Sequence, residues 1–191
     1  MSRLTEVAAS VLGDPESVLR SRPERLRPPQ PLACNRQGEI GAVLFVVEES
    51  GADYRAIFGL YKLVKGRWEE AVLFSNPWLD SPLERPPPRP DAPLIECPAA
   101  AAAGPHRERA TGPSEQSLYL APGRAVAGVS RVVGEHGGRR VESRVAEATG
   151  AFLVMGPLED SPGPPRLLAE LEDRTESVEL DALPPLRPVH A

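Results

Sequence analysis

From residue 118 to 180 the chain is a series of short apolar or alternating runs, LYLA, AVAGVSRVV, RRVESRVA, AFLVM, RLLAELE and ESVEL, parted by turn residues. Alternation with a period of two puts the apolar side chains on one face of a strand, and an unbroken run such as AFLVM predicts a strand covered on both faces. A second unbroken run, GAVLFVVE at 41–48, predicts a central strand. After a turn at 49–53, Tyr54, Ala56, Phe58 and Leu60 share one face of a further strand. Lys65 and Gly66 turn the chain again, and Trp68, Glu70, Val72 and Phe74 alternate with Glu69, Ala71 and Leu73 until Asn76 and Pro77 end the run. The pattern is that of a three-stranded meander. Within the later series, GEHGG at 134–138 predicts a glycine-rich hairpin turn, and Thr149 with Gly150 turns the chain into AFLVM.

Only the first residues carry a helical period. Leu4, Val7, Ala8, Val11 and Leu12 fall on one stripe, Gly13 stands just past its end, and Asp14 with Pro15 opens a second helical piece running to about Arg20. Helices this short need a docking partner, either the β core or another protein. The composition shifts abruptly at 81–93, SPLERPPPRPDAP, where proline neither donates to a ladder nor continues a helix. An extended connector is expected there, with a PxxP spacing at Pro87 and Pro90 between Arg85 and Arg89 that could dock on an aromatic groove. LIEC at 94–97 reads as one short strand. Most of 98–116, which includes the tract HRERATGPSEQ, has no periodicity and is expected to be mobile.

The predicted architecture is all-β: an antiparallel β-sandwich with a short N-terminal helical arm and a disordered Pro/Ala-rich insertion. Its parts are a helical arm and connector at 1–37, the meander at 38–80, a flexible linker at 81–117, sandwich strands at 118–182 and a loose tail at 183–191. The meander's three strands, from about 41 to 74, span fewer than the roughly 40 residues below which a chain without disulfides or metal rarely folds unaided. Pooling its apolar face with the later strands solves this, so 38–80 and 118–182 are expected to form one domain.

Composition supports this picture and bounds the function. The chain has 191 residues, and its 23 prolines and 16 glycines favour short strands and turns over a helical bundle. A formal net charge of -5 argues against a general phosphate-binding surface, so no nucleic-acid partner is expected. The arginines of SRPERLRPP at 21–29, with Arg20 before them, are read as a solvated connector. No apolar stretch is long enough to span a bilayer, and the first residues lack the unbroken apolar core of a signal peptide; no membrane partner and a cytoplasmic address follow as expectations. There, Cys34 and Cys97 would stay as thiols. The near-absence of lysine beside abundant Arg, Ala, Pro and Gly has the look of GC-rich coding, as in actinobacteria.

Chemistry is hard to find. There is no GxGxxG, no GxxxxGK[ST], no HExxH, and the nearest approach to a nucleophile elbow, GVSRV at 128–132, lacks its last glycine. His106, His136 and His190 fall in a polar tract, a glycine turn and the tail, none of them a rigid support for a metal or a proton transfer. Cys34 reads as a small apolar side chain. The pairs Glu48/Glu49, Glu69/Glu70 and Glu159/Asp160 point to opposite faces if extended, as solvated carboxylates. No catalytic, cofactor-binding or metal residue is assigned, and no cofactor is expected. The one candidate interaction patch is aromatic: Tyr54, Phe58, Tyr61, Trp68 and Trp78, with Arg55 and Arg67 as polar neighbours, against the plainer reading of core packing.

RVESRVAEATGAFLVMG followed by RLLAELEDRTESVEL resembles the transthyretin-like or carboxypeptidase-regulatory-like β-sandwich modules, in which a glycine before a phenylalanine, here Gly150 and Phe152, precedes a core strand and two more strands follow. The resemblance covers about a fifth of the chain and implies a structural or binding domain, with no catalytic residue to carry over. The loop GPLEDSPGPP at 156–165 is longer than the turn such modules have there. As a whole the chain is similar to actinobacterial β-rich proteins. The expectation is a non-catalytic protein-interaction or structural module whose partner and oligomeric state the sequence leaves open. A hydrolase-type enzyme with an unrecognised site and an immunity- or inhibitor-type protein are the alternatives.

Overall fold

The computed structural model describes residues 2–22, 27–50, 53–76, 84–97, 100–103, 117–158, 163–172, 174–181 and 183. Helices α1 (Arg3–Gly13) and α2 (Pro15–Leu19) precede β1 (Gln30–Gln37), β2 (Ile40–Ser50), β3 (Asp53–Val64), β4 (Arg67–Asn76), β5 (Ile95–Glu96), β6 (Ala101–Ala103), β7 (Leu118–Ala125), β8 (Arg131–His136), β9 (Arg139–Arg144), β10 (Ala151–Pro157), β11 (Arg166–Leu171) and β12 (Arg174–Glu179). The strands make three antiparallel sheets: β1-β2-β3-β4, a middle sheet in which β7 pairs with β10 on one side and with β5 and β6 on the other, and β12-β11-β8-β9.

The alternation of side chains fixes how the sheets stack. Ala42, Leu44, Val46, Ala56 and Phe58 of the first sheet share an interior with Leu118, Leu120, Leu153 and Met155 of the middle sheet. The opposite face of the middle sheet, Tyr119, Ala121, Phe152 and Val154, packs on Val132, Leu167 and Ala169 of the third. Odd-numbered β2 and β3 residues, Val43, Phe45, Ile57 and Tyr61, meet Ala8, Val11, Leu12 and Val18 of the helices. The order is therefore helices, sheet, sheet, sheet, and the two unbroken apolar runs are the strands with a layer on each side. The sandwich expected from the pattern has a third sheet, and α1 covers a face of the first sheet rather than an end.

Helix α1 is held where its sequence predicts. The Ser2 hydroxyl accepts from Thr5 N at 3.2 Å, as an N-cap should. At the other end Leu12 presses on β2 at Gly41, where a Cβ would come within 2.7 Å of its methyls. Arg36 donates to Leu12 O at 3.3 Å and lies over the Trp68 ring, 5.2 Å from its centroid.

Two strands differ from expectation. β1 occupies the expected connector, because Leu32 sits in a bulge between Pro31 and Ala33; both Leu32 and Ala33 are buried, which breaks the period of two. β7 runs through Pro122 and Gly123. Pro122 falls between the residues paired to β6 and those paired to β5, where no ladder bond is required of it. The hairpin β8–β9 turns on Gly137 and Gly138 alone, both at positive φ, so Gly134 is a strand residue and not part of the turn.

An open edge at β10 would leave backbone groups unpaired inside the molecule, and side chains close it. Asn35 Nδ2 donates to Leu153 O at 3.0 Å, Gln37 Nε2 donates to Met155 O, and Leu153 N donates to the buried Ser143 Oγ at 3.3 Å. Thr149 Oγ1 accepts from Ala151 N, and Ala146 N donates to Ala151 O at 2.8 Å. Replacing Asn35 and Gln37 together by leucine should destabilise the fold by about 2–4 kcal/mol, since two carbonyls lose their donors. Urea unfolding checks this: the midpoint falls while the slope stays unchanged.

Candidate interaction site

Residues 84–94 read ERPPPRPDAPL. Each proline fixes its own φ, and each residue before a proline is confined to extended backbone, so the run 85–89 favours a polyproline II path. Pro90 then opens a turn closed by Ala92 N donating to Arg89 O at 3.3 Å. A segment so poor in donors has to be held by groups outside it.

Arg85 is the first anchor. Its Nε and Nη2 donate to Val126 O at 3.2 and 2.9 Å, Nη2 also to Val129 O, and Nη1 to Glu147 O at 3.1 Å. Burial pulls this guanidinium below its ordinary pKa, and Glu147 opposes the shift. Its Cγ lies over Gly150, where a Cβ would meet that carbon at 3.0 Å and Ala125 O at 2.3 Å. Ala127 N donates to Pro86 O at 2.8 Å. The second anchor comes from β12: Arg174 donates to the carbonyls of Arg89 and Pro90 at 3.2 Å and of Ala92 at 2.7 Å, while Glu176 accepts from Leu94 N at 2.7 Å.

Between the anchors Pro87, Pro88, Arg89, Pro90 and Asp91 are exposed. The segment also bounds a cavity of about 230 Å³, lined by Pro86, Pro87, Arg89, Ala92 and Pro93 of the strap and by Leu94, Glu96, Arg124 and Val126. The expected flexible linker is thus, over 84–97, a strap fastened to the third sheet and the turns beside it. Ala101–Ala103, expected to be mobile, pair with Leu118–Leu120 as β6. Arg85 stood out in the sequence as an arginine among prolines. Arg174 and Glu176 gave no sign, because what they hold is backbone more than eighty positions away.

The three aromatic candidates with described side chains are not brought together. Phe58 is buried toward the middle sheet, whereas Tyr61 and Trp68 are buried toward the helices on the other face, packing the core on both sides of the first sheet. Tyr54 belongs to β3, but its side chain lies outside the described residues, as do Trp78, Arg25, His106, His190, the Glu48/Glu49 side chains and the Glu159/Asp160 pair. Of the basic run, Arg20 pairs with Glu16 at 3.6 Å and Arg22 with Glu147 at 2.7 Å, both exposed.

His136, expected in a turn, ends β8 and is buried, its ring edge-on to Tyr119 at 6.4 Å between centroids. Glu135, next along the strand, pairs with Arg140 at 3.0 Å. Among the described residues no three His, Cys, Asp or Glu side chains stand close enough to share a metal ion. None of the described helices is long and apolar enough to cross a membrane.

Burial, reinforced by Asp14 and Glu16, pushes the Cys34 thiol up to about 12, and burial with a smaller push from Glu135 raises the Tyr119 phenol to about 12. Tyr61 shifts in the same direction, from burial and then from Glu70. In all three the neutral form is favoured in the fold. Their stabilisation is full below pH 9, where the unfolded groups are still protonated, and is lost as the pH rises toward 12. Alkaline titration should therefore show phenolate absorbance appearing together with loss of the far-ultraviolet β signal, and Cys34 should resist alkylation at neutral pH. Smooth titration of both Tyr61 and Tyr119 near the ordinary phenol value in an intact fold would contradict this.

No protein-family model, curated protein or solved structure matches the chain.

Proposed function

We propose that this chain is a non-catalytic protein-interaction module whose contact element is the proline strap. One observation carries the reading: residues 84–94 are tied down at both ends by Arg85, Arg174 and Glu176, yet Pro87 to Asp91 are exposed. Ordering a loop costs about 1–2 kcal/mol per residue, and a strap already ordered presents its surface without that loss on binding. Asn35, Gln37, Ser143 and Arg85 spend their polar groups on backbone atoms, which suits a scaffold. The likeness of the C-terminal strands to transthyretin-like modules, mostly structural or binding domains, supports the same reading. It sets the protein in the cytoplasm, with Cys34 and Cys97 as thiols.

The test is site-specific photo-crosslinking in host extract, with the photoreactive residue at Pro88 in one variant and at Ser177, exposed on β12, in another. A discrete protein adduct from position 88 and none from 177 is expected. Adducts from neither position would refute the module reading, and adducts from 177 alone would move its contact surface off the strap.

A further inference from the structure

Resting on that reading, we infer that the strap's partner presents a groove lined by aromatic rings with a carboxylate at its rim, a reader of polyproline II. Three features of the strap point to this chemistry. First, the polyproline II path that the prolines favour over 85–89 repeats every three residues and so brings Pro87 and Pro90 to one ridge; both residues are exposed. A ridge of rigid pyrrolidine rings fits the slots between parallel aromatic side chains with little entropy left to lose. Second, the carbonyls of Pro86, Arg89, Pro90 and Ala92 are taken by Ala127 N and by Arg174. Those of Pro87 and Pro88 have no donor among the described residues, which leaves them for a tryptophan N–H or an amide in the groove. Third, Arg89 stands exposed beside that ridge, and its guanidinium makes no ion pair among the described residues. A carboxylate on the partner would meet it and fix the direction in which the strap lies. Arg85, the other arginine of the PxxP segment, does not share this role, because its guanidinium is turned inward onto carbonyls.

The experiment uses the full chain with isotope-labelled SH3 and WW domains as aromatic-groove probes. Titration should give saturable shifts confined to groove residues of at least one probe, and a synthetic peptide of residues 84–93 should reverse them. The Pro87→Ala/Pro90→Ala variant should bind at least tenfold more weakly, and Arg89→Glu at least tenfold more weakly to probes with an acidic rim, while both variants melt with the parent chain. Absence of groove shifts at millimolar chain, or equal binding by the parent and both variants, would overturn the inference. The outcome separates from that of the crosslinking: an adduct at position 88 on a partner surface without an aromatic groove leaves the module reading standing and removes this one.

Discussion

Replacing Phe152 by alanine should destabilise the protein by about 3–5 kcal/mol, the range for deleting a large buried aromatic that its neighbours cannot replace. Phe152 has no exposed surface and lies in the layer between the middle and third sheets, among Tyr119, Val154, Leu167 and Ala169. Its ring covers Gly123, the residue opposite it on β7: a Cβ there would come within 2.2 Å of the ring and 2.6 Å of Glu96 O. A bare glycine thus makes the seat for the ring, and collapse of the neighbouring backbone is limited by β5 on the far side. At roughly 2–4 °C per kcal/mol for a chain of this size, the melting temperature should fall by about 10 °C. Gly123→Ala should also destabilise, and less so when Phe152 is already alanine, because one of the two clashes is gone. Thermal melts of the two single variants and the double variant measure that coupling. Additive effects would show that ring and glycine do not share the site.

Arg85→Ala should release the strap and leave the sheets standing. A charged donor bonded to the carbonyls of Val126, Val129 and Glu147 is lost, and about 2–4 kcal/mol is expected to go with it. Arg85→Lys should restore little, since an ammonium lacks the planar fork that reaches several acceptors at once. Hydrogen exchange localises the effect. The amides of Ala92, Leu94 and Ala127 bond to or within the strap and should exchange much faster in the variant, while those of Leu120 and Val154 in the middle sheet should stay slow. Acceleration spread evenly over the chain would mean that Arg85 is part of the core and not a fastening.

These effects divide according to what the sequence carries. The strands with one layer on each side announced themselves, since GAVLFVV and AFLVM have no polar position to spare, and the apolar stripe of α1 gave its docking face. Local order leaves its mark in consecutive residues. Long-range fastening does not: Asn35 and Gln37 read as polar loop residues, yet they close the edge of a strand 118 positions away. Glycine misled for a similar reason. Gly134 looked like turn chemistry, but a Cβ at this position would stand 2.3 Å from the Tyr119 hydroxyl, and at Gly156 2.5 Å from the same ring. Both are seats for a tyrosine on a third strand. Proline misled in the opposite direction, because its conformational effect is local while the carbonyls that hold the strap are met by Arg174 and Ala127 from elsewhere. Of the aromatic candidates for a surface, Phe58, Tyr61 and Trp68 proved to be interior on two different faces of the first sheet.

The stacking of three sheets around a shared middle one is tested most directly by native-state hydrogen exchange followed through increasing denaturant. Amides of Leu44 and Phe45, of Leu120 and Val154, and of Val132 and Leu167 should converge on one opening free energy and one denaturant slope, as befits layers that cannot lose a neighbour separately. Two distinct slopes, with residues 41–74 opening while 118–179 remain closed, would contradict it.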